Sequence, residues 1–247
     1  MSYTIINPAT EEAMEVIEHA SLEQTDEAIA RAKVAQKKWA ALAPADRAKA
    51  LRDFAAAVDG DIDNLAALEV RNSGHPISQA VWEANHVRNV LEYYSASPER
   101  LLGKQIPVAG GIDITFNEPL GVVGIITPWN YPMALTMLDV LPALAAGNIV
   151  VQKADNQTAL TVLFARHLAV EAGVPAELWT VVVGDGEKVG NAITDNVDYV
   201  AFTGSTATGR RVAERAAKRL IGCSLELGGK NPMIVLEGAN IKRAAEI

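Results

Sequence analysis

Apolar positions between residues 25 and 95 recur at three- and four-residue spacing, the period of helices with one buried face. Ala28, Ala32, Ala35 and Trp39 form the first stripe, which predicts a helix capped by Thr25 or Asp26. Pro44 opens a second helix, where its missing amide costs little, and Leu51, Phe54, Ala55 and Val58 give that helix a core face. A third spans about residues 61–71. After Gly74-His75-Pro76 a fourth carries Val81, Trp82, Val87, Val90, Leu91 and Tyr94 toward the core. The first hundred residues thus read as helical. Two short extended runs follow, 105–109 and 112–118, and the Gly110-Gly111 pair between them signals a hairpin.

From residue 122 the pattern changes to strand, helix, strand, helix. Strands are expected at 122–126, 148–152, 180–183, 199–202, 224–227 and 233–236. Helices are expected at 134–145, ending at Gly147, at 158–172, ending at Gly173, and at 186–193 and 206–219. Repeated strand–helix units argue for an α/β fold: a Rossmann-like parallel sheet with flanking helices, preceded by a helical region and a β-hairpin. Residues 242–247 read as part of a helix without a stop signal.

Composition narrows the function classes. A chain of 247 residues with 49% hydrophobic and 21% charged residues can bury a sizeable core. Its net charge of −8 argues against nucleic-acid binding, which requires basic patches. Arg210-Arg211 and Lys218-Arg219 are expected to be a solvated helix face. One cysteine, Cys223, permits no internal disulfide, so a cytoplasmic location is expected. No run is long enough to span a bilayer and no signal peptide is visible. His19, His75, His86 and His167 lack metal-ligand spacing, so no metal site is expected.

Several residues carry candidate chemistry, each with a plainer alternative. No G-x-G-x-x-G follows the first sheet strand; Pro128-Trp129-Asn130-Tyr131-Pro132 stands there, which alone reads as a rigid turn. Lys153 ends a strand, where it either meets a ligand or faces solvent. Gly204-Ser205-Thr206-Ala207-Thr208-Gly209 opens a helix whose free amides suit a pyrophosphate. Arg210-Arg211 follows it in place of Lys-Ser/Thr, which excludes a Walker A loop. Glu226 beside Gly228-Gly229 alone reads as a charge near a turn. Cys223 lies three residues before Glu226 in a strand whose side chains alternate, so it need not point where Glu226 points, and it reads as a small core residue.

Thr127-Pro128-Trp129-Asn130-Tyr131-Pro132, Phe202-Thr203-Gly204-Ser205-Thr206 and Leu225-Glu226-Leu227-Gly228-Gly229-Lys230 occur in that order after Asn7-Pro8-Ala9-Thr10. Together they resemble the aldehyde dehydrogenase superfamily over essentially the whole chain. The resemblance implies NAD or NADP as cofactor, an aldehyde substrate and a homo-oligomer. It makes Asn130 the donor to a developing oxyanion and Glu226 the general base. It assigns cofactor contacts to Thr127, Pro128, Trp129, Lys153, Asn156, Gly184, Phe202, Gly204, Ser205, Leu227 and Gly228. Asn156 stands where relatives often carry glutamate, and a neutral amide beside Lys153 tolerates a ribose 2′-phosphate, making NADP plausible. Asp139 stands where many relatives carry lysine.

By the same resemblance, residues 1–102 and 121–247 form a cofactor-binding domain and 103–120 an oligomerisation hairpin. The catalytic domain, with its nucleophilic cysteine, is absent from these residues. The expectation is an N-terminal portion of an NAD(P)-dependent aldehyde dehydrogenase, inactive alone. The alternative is a noncatalytic nucleotide-binding or subunit-pairing protein derived from the family.

Overall fold

In the computed structural model, which describes residues 1–246, the chain opens with strands. β1 (Ser2–Ile6) and β2 (Ala13–Glu18) pair antiparallel. This corrects the helical reading of the first hundred residues. Tyr3 and Ile5, two apart on β1, turn toward the core, and Met14 and Ile17 of β2 pack against it, with Glu15 and Val16 exposed between them. The amide of Ala20 then donates to the Val183 carbonyl (2.8 Å), tying this hairpin to the main sheet.

α1 (Leu22–Ala40) begins earlier than Thr25 because Ser21 caps it. Ser21 Oγ accepts from the Gln24 amide (3.1 Å) and Gln24 Oε1 accepts from the Ser21 amide (2.8 Å), a reciprocal capping box. Thr25 is instead buried inside the first turn, donating to the Ser21 carbonyl. α2 (Pro44–Gly60) and α3 (Ile62–Ser73) follow; Gly74 ends α3 at φ 79°, a left-handed conformation that suits glycine. In α4 (Ile77–Ser95) the buried face is Ala80, Glu83, Ala84, Val87 and Leu91. Val81 and Trp82 lie outside it, Trp82 being 52% exposed, so that part of the predicted stripe is displaced by one position. β3 (Gln105–Val108) and β4 (Gly111–Ile114) form the expected hairpin, every residue of it exposed.

The remainder alternates: β5 (Val122–Ile126), α5 (Pro132–Ala145), β6 (Ile149–Lys153), α6 (Ala159–Glu171), β7 (Trp179–Val182), α7 (Gly186–Asn196), β8 (Tyr199–Gly204), α8 (Thr206–Lys218), β9 (Gly222–Leu227) and α9 (Ile241–Glu246). The five strands β5–β9 are all parallel, in the order β7-β6-β5-β8-β9. Right-handed crossovers place α5 and α6 on one face and α7 and α8 on the other. α1 packs on α7, while α2, α3 and α4 cover α5 and α6. With both faces covered, β5 and β6 are almost wholly buried; β5 is an unbroken apolar run, and β6 is apolar through Val151 before the buried Gln152 and Lys153. At Gly124 in β5 a Cβ would lie 2.5 Å from Ile193 Cγ2 and 3.0 Å from Val197 Cγ2, so glycine lets α7 approach the strand.

Buried polar groups join the helical layer to the sheet. Trp39 Nε1 donates to the Leu144 carbonyl (2.8 Å), and the buried Arg47 donates to the carbonyls of Leu42 and Ala145. Residues 233–236 form no strand, and Ile234 and Leu236 are 75% and 72% exposed. An apolar run becomes a strand only where a sheet edge accepts its hydrogen bonds. Helical character is found in α9, whereas Ile247 lies outside the described residues.

Candidate functional site

The strand order reverses direction between β5 and β8, and parallel sheets open a crevice at the carboxyl ends of the strands flanking such a point. A cavity of about 580 Å³ lies there. Thr127, Pro128 and Trp129 come from the end of β5, Lys153 from β6, and Phe202, Gly204 and Ser205 from β8 and the turn after it. α8 points its N-terminus into this space. Ser205 caps it by accepting from the Thr208 amide (3.2 Å), leaving the other first-turn amides without intrahelical partners. Gly204 has no room for a side chain, since a Cβ would meet the Phe202 ring at 2.7 Å.

A buried network sets the floor of the cleft. Gln152, fully buried in β6, donates to Thr127 Oγ1 (2.9 Å) and Thr136 Oγ1 (2.6 Å) and accepts from Trp179 Nε1 (2.8 Å). Only one orientation of its amide satisfies an indole that can donate but never accept. The Thr158 hydroxyl donates to the Trp129 carbonyl (3.0 Å), holding the loop after β5. Lys153 is buried at the cleft wall; burial lowers its pKa, against the pull of Asp155 and Asp185.

A second cavity, of about 720 Å³, adjoins the first through Pro128, Trp129, Gly204 and Ser205. Asn130, Asp139, Glu226, Leu227 and Gly228 line it. Asn130 sits on the exposed loop before α5, and Glu226 is exposed on β9, an edge of the sheet. Asp139 is half-buried on α5; burial foremost, and the Glu226 charge second, push its pKa up from the usual 3.8 to about 6. Cys223 and Leu225 are half-buried on one side of β9, while Ser224 and Glu226 are exposed on the other. The thiol therefore does not share Glu226's face.

The sequence model of the aldehyde dehydrogenase family matches residues 1–247. The chain belongs to the aldehyde dehydrogenase family. A protein of Mycolicibacterium smegmatis named as a candidate succinate-semialdehyde dehydrogenase (NADP+) is 45% identical over 223 residues, 89% of this chain and 43% of the relative. Peroxisomal aminoaldehyde dehydrogenase 2 of Pisum sativum is 39% identical, over 98% of this chain and 50% of its own length. An aldehyde dehydrogenase of Bacillus cereus solved with NAD+ superposes with a TM-score of 0.94 at 34% identity, covering all of this chain and 51% of that one. An E. coli NADP-dependent enzyme gives 0.95 at 35% identity, with 100% and 52% covered. The chain thus spans about half the length of the relatives it matches.

Within this aldehyde dehydrogenase frame, two predicted site residues stand apart from the cavities. Asn156 Oδ1 accepts from the Gly184 amide (3.1 Å) and its Nδ2 lies 3.4 Å from His19 Nε2. Gly184 itself is confined by Val189, whose Cγ2 would lie 2.8 Å from a Cβ. The two residues brace the neighbouring ends of β6 and β7. Conversely, Arg211, Arg215 and Lys218 line the first cavity, so the basic cluster is only in part a solvated face. Their spacing with Thr208 on one side of α8 is the signal that could have found them. Arg215 also pairs with Asp195, and Arg219 turns away to the carbonyls of Thr194 and Val197.

One cluster near the site brings together ligand-type groups that the histidine spacing does not register. His75 lies between the buried carboxylates of Glu69 and Glu83, three groups whose ligand atoms all stand within 4.8 Å of one another. Glu83 also accepts from the Ala134 amide (2.8 Å), pinning the start of α5 just after Asn130. Burial, with Glu69 adding to it, raises the Glu83 pKa to about 7.

Proposed function

We propose that residues 1–247 form the cofactor-binding half of an NAD(P)-dependent aldehyde dehydrogenase that oxidises an aldehyde to a carboxylic acid. The observation that carries this is the junction of two cavities. The switch-point cleft, with its helix N-terminus and buried lysine, opens directly onto the space shared by Asn130 and Glu226. The cleft fits a dinucleotide. First-turn amides of α8 and the flanking Arg211 and Lys218 suit phosphate oxygens, and Lys153, whose charge burial disfavours, gains from an anionic or hydroxyl-rich partner. Thr127, Pro128, Trp129, Phe202, Gly204 and Ser205 form its walls, with Leu227 and Gly228 at the mouth toward the second cavity. When bound, the nicotinamide supplies a hydride acceptor.

In this reading the Asn130 side-chain amide donates to the oxyanion that develops at the aldehyde oxygen when a thiol adds to the carbonyl carbon, a neutral donor that adds no charge of its own. Glu226, exposed on β9, takes a proton from the water that releases the acid. Cys223, on the other face of β9, is not the attacking thiol, which we place outside these 247 residues. Asn156, braced against Gly184, leaves no carboxylate to repel a 2′-phosphate, and the NADP-named relative supports NADP. Residues 1–102 and 121–247 make up the cofactor domain. Residues 103–120 serve as an oligomerisation arm, since Ile106, Val108, Ile112 and Ile114 all lie exposed on the hairpin. No helix among the described residues is long and apolar enough to cross a membrane. The purified 247-residue chain is expected to bind NADPH yet form no NADPH from NADP+ and aldehydes; sustained turnover would overturn the assignment of the thiol.

A further inference from the structure

The cluster on the far side of the Asn130 loop poses an electrostatic problem. Glu69 on α3 and Glu83 on α4 have fully buried side chains. Both carboxylate oxygens of Glu69, Oε2 of Glu83 and Nδ1 of His75 are buried without a hydrogen-bond partner. Orphaned buried anions of this kind are costly. A single proton shared between His75 and one carboxylate would satisfy one pair and leave the other oxygens bare. A cation bound by an oxygen of Glu69, by Oε2 of Glu83 and by Nδ1 of His75 would offset both buried carboxylates and occupy the imidazole nitrogen.

Geometry agrees. His75 Nδ1 lies 3.5 Å from Glu69 Oε1 and 3.6 Å from Glu83 Oε2. Ligand atoms bound at about 2.1 Å to a tetrahedral zinc stand about 3.4 Å apart. One imidazole and two carboxylates suit a borderline divalent ion better than calcium or magnesium, which favour all-oxygen shells. We propose that Glu69, His75 and Glu83 form a binding site for a first-row divalent cation of the zinc type. The ion would tie α3, the turn after it and α4 together. Through the bond from Glu83 Oε1 to the Ala134 amide and the packing of His75 on the Tyr131 ring (4.8 Å between centroids), it would also brace the loop that carries Asn130.

The test uses the 247-residue chain stripped with a chelator and titrated with Zn²⁺ alone. One saturable site and a higher melting temperature are expected. Glu69→Gln and His75→Ala should each weaken binding by more than the roughly tenfold that a change outside the ligand shell costs. His167→Gln, which removes an exposed histidine 3.2 Å from Glu171, should leave binding unchanged. Co²⁺ on the unmodified chain keeps the test decisive if a variant fails to fold, because an intense visible absorption marks a tetrahedral site. Absence of saturable binding, a weak octahedral cobalt spectrum, or binding that survives both cluster substitutions and disappears in His167→Gln would overturn the proposal.

Discussion

Gln152→Met tests whether the buried amide network is what holds the floor of the cofactor cleft. Methionine matches glutamine in length and flexibility, so the substitution removes polar atoms with little change of volume. It deletes the acceptor for Trp179 Nε1 and the donor for Thr127 Oγ1 and Thr136 Oγ1. The Trp179 side chain is buried at 2% residue exposure, so its N–H is left orphaned at a cost of about 1–3 kcal/mol. The hydroxyls can rotate toward nearby carbonyls, so each lost bond there adds at most about 1 kcal/mol. These bounds add to about 1–5 kcal/mol, with about 2–4 kcal/mol as the central range. For a chain of this size that central range lowers the melting temperature by about 4–16 °C. Thermal denaturation followed by circular dichroism reads the shift, and cofactor titration of the folded variant reads the displacement of Thr127. A melting temperature within about 2 °C of the parent would refute the reasoning, because it would mean that the indole N–H does not depend on Gln152.

Other substitutions probe separate parts of the account. Gly124→Ala should destabilise the chain by about 1–3 kcal/mol in urea, because its Cβ would lie 2.5 Å from Cγ2 of the fully buried Ile193 on α7 and 3.0 Å from Cγ2 of the fully buried Val197 just after it. Asp139→Asn should stabilise at neutral pH. The folded pKa of about 6 lies above the usual 3.8, so ionising Asp139 costs stability as pH rises through that window. The gain should be absent below about pH 4 and reach on the order of 1–2 kcal/mol above pH 7, since water still reaches part of the carboxylate; a pH-independent difference in melting would contradict it. Asn156→Glu should cut the preference for NADP over NAD by about tenfold, roughly 1.4 kcal/mol, through repulsion of the 2′-phosphate. Unchanged relative affinities in paired titrations would remove Asn156 from cofactor selection.

The parallel sheet was legible because its buried strands are compact apolar runs punctuated by Gly147, Gly173 and the turn after Ile126. β1 and β2 were not, because residues such as Glu15 and Glu18 dilute their alternation, and their partner is the other strand rather than a local signal. On α4 the sequence pattern favours Val81 and Trp82, yet packing buries the small Ala80 and Ala84 and the charged Glu83. The two cavities were readable from motifs that lie at strand ends. Asn156 and Gly184 instead meet across neighbouring strand ends, and Glu69, His75 and Glu83 converge from three elements. Such pairings depend on how helices and strands dock, which no local spacing records.

The central claim is that the switch-point cleft binds the dinucleotide. Calorimetric titration of the 247-residue chain with NADP+, repeated with Lys153→Ala and Ser205→Ala, tests it most directly. One saturable site per chain is expected in the parent, with at least about tenfold weaker binding in Lys153→Ala, equivalent to roughly 1.4 kcal/mol. A folded parent chain that shows no saturable binding, or binding indifferent to both substitutions, would contradict it.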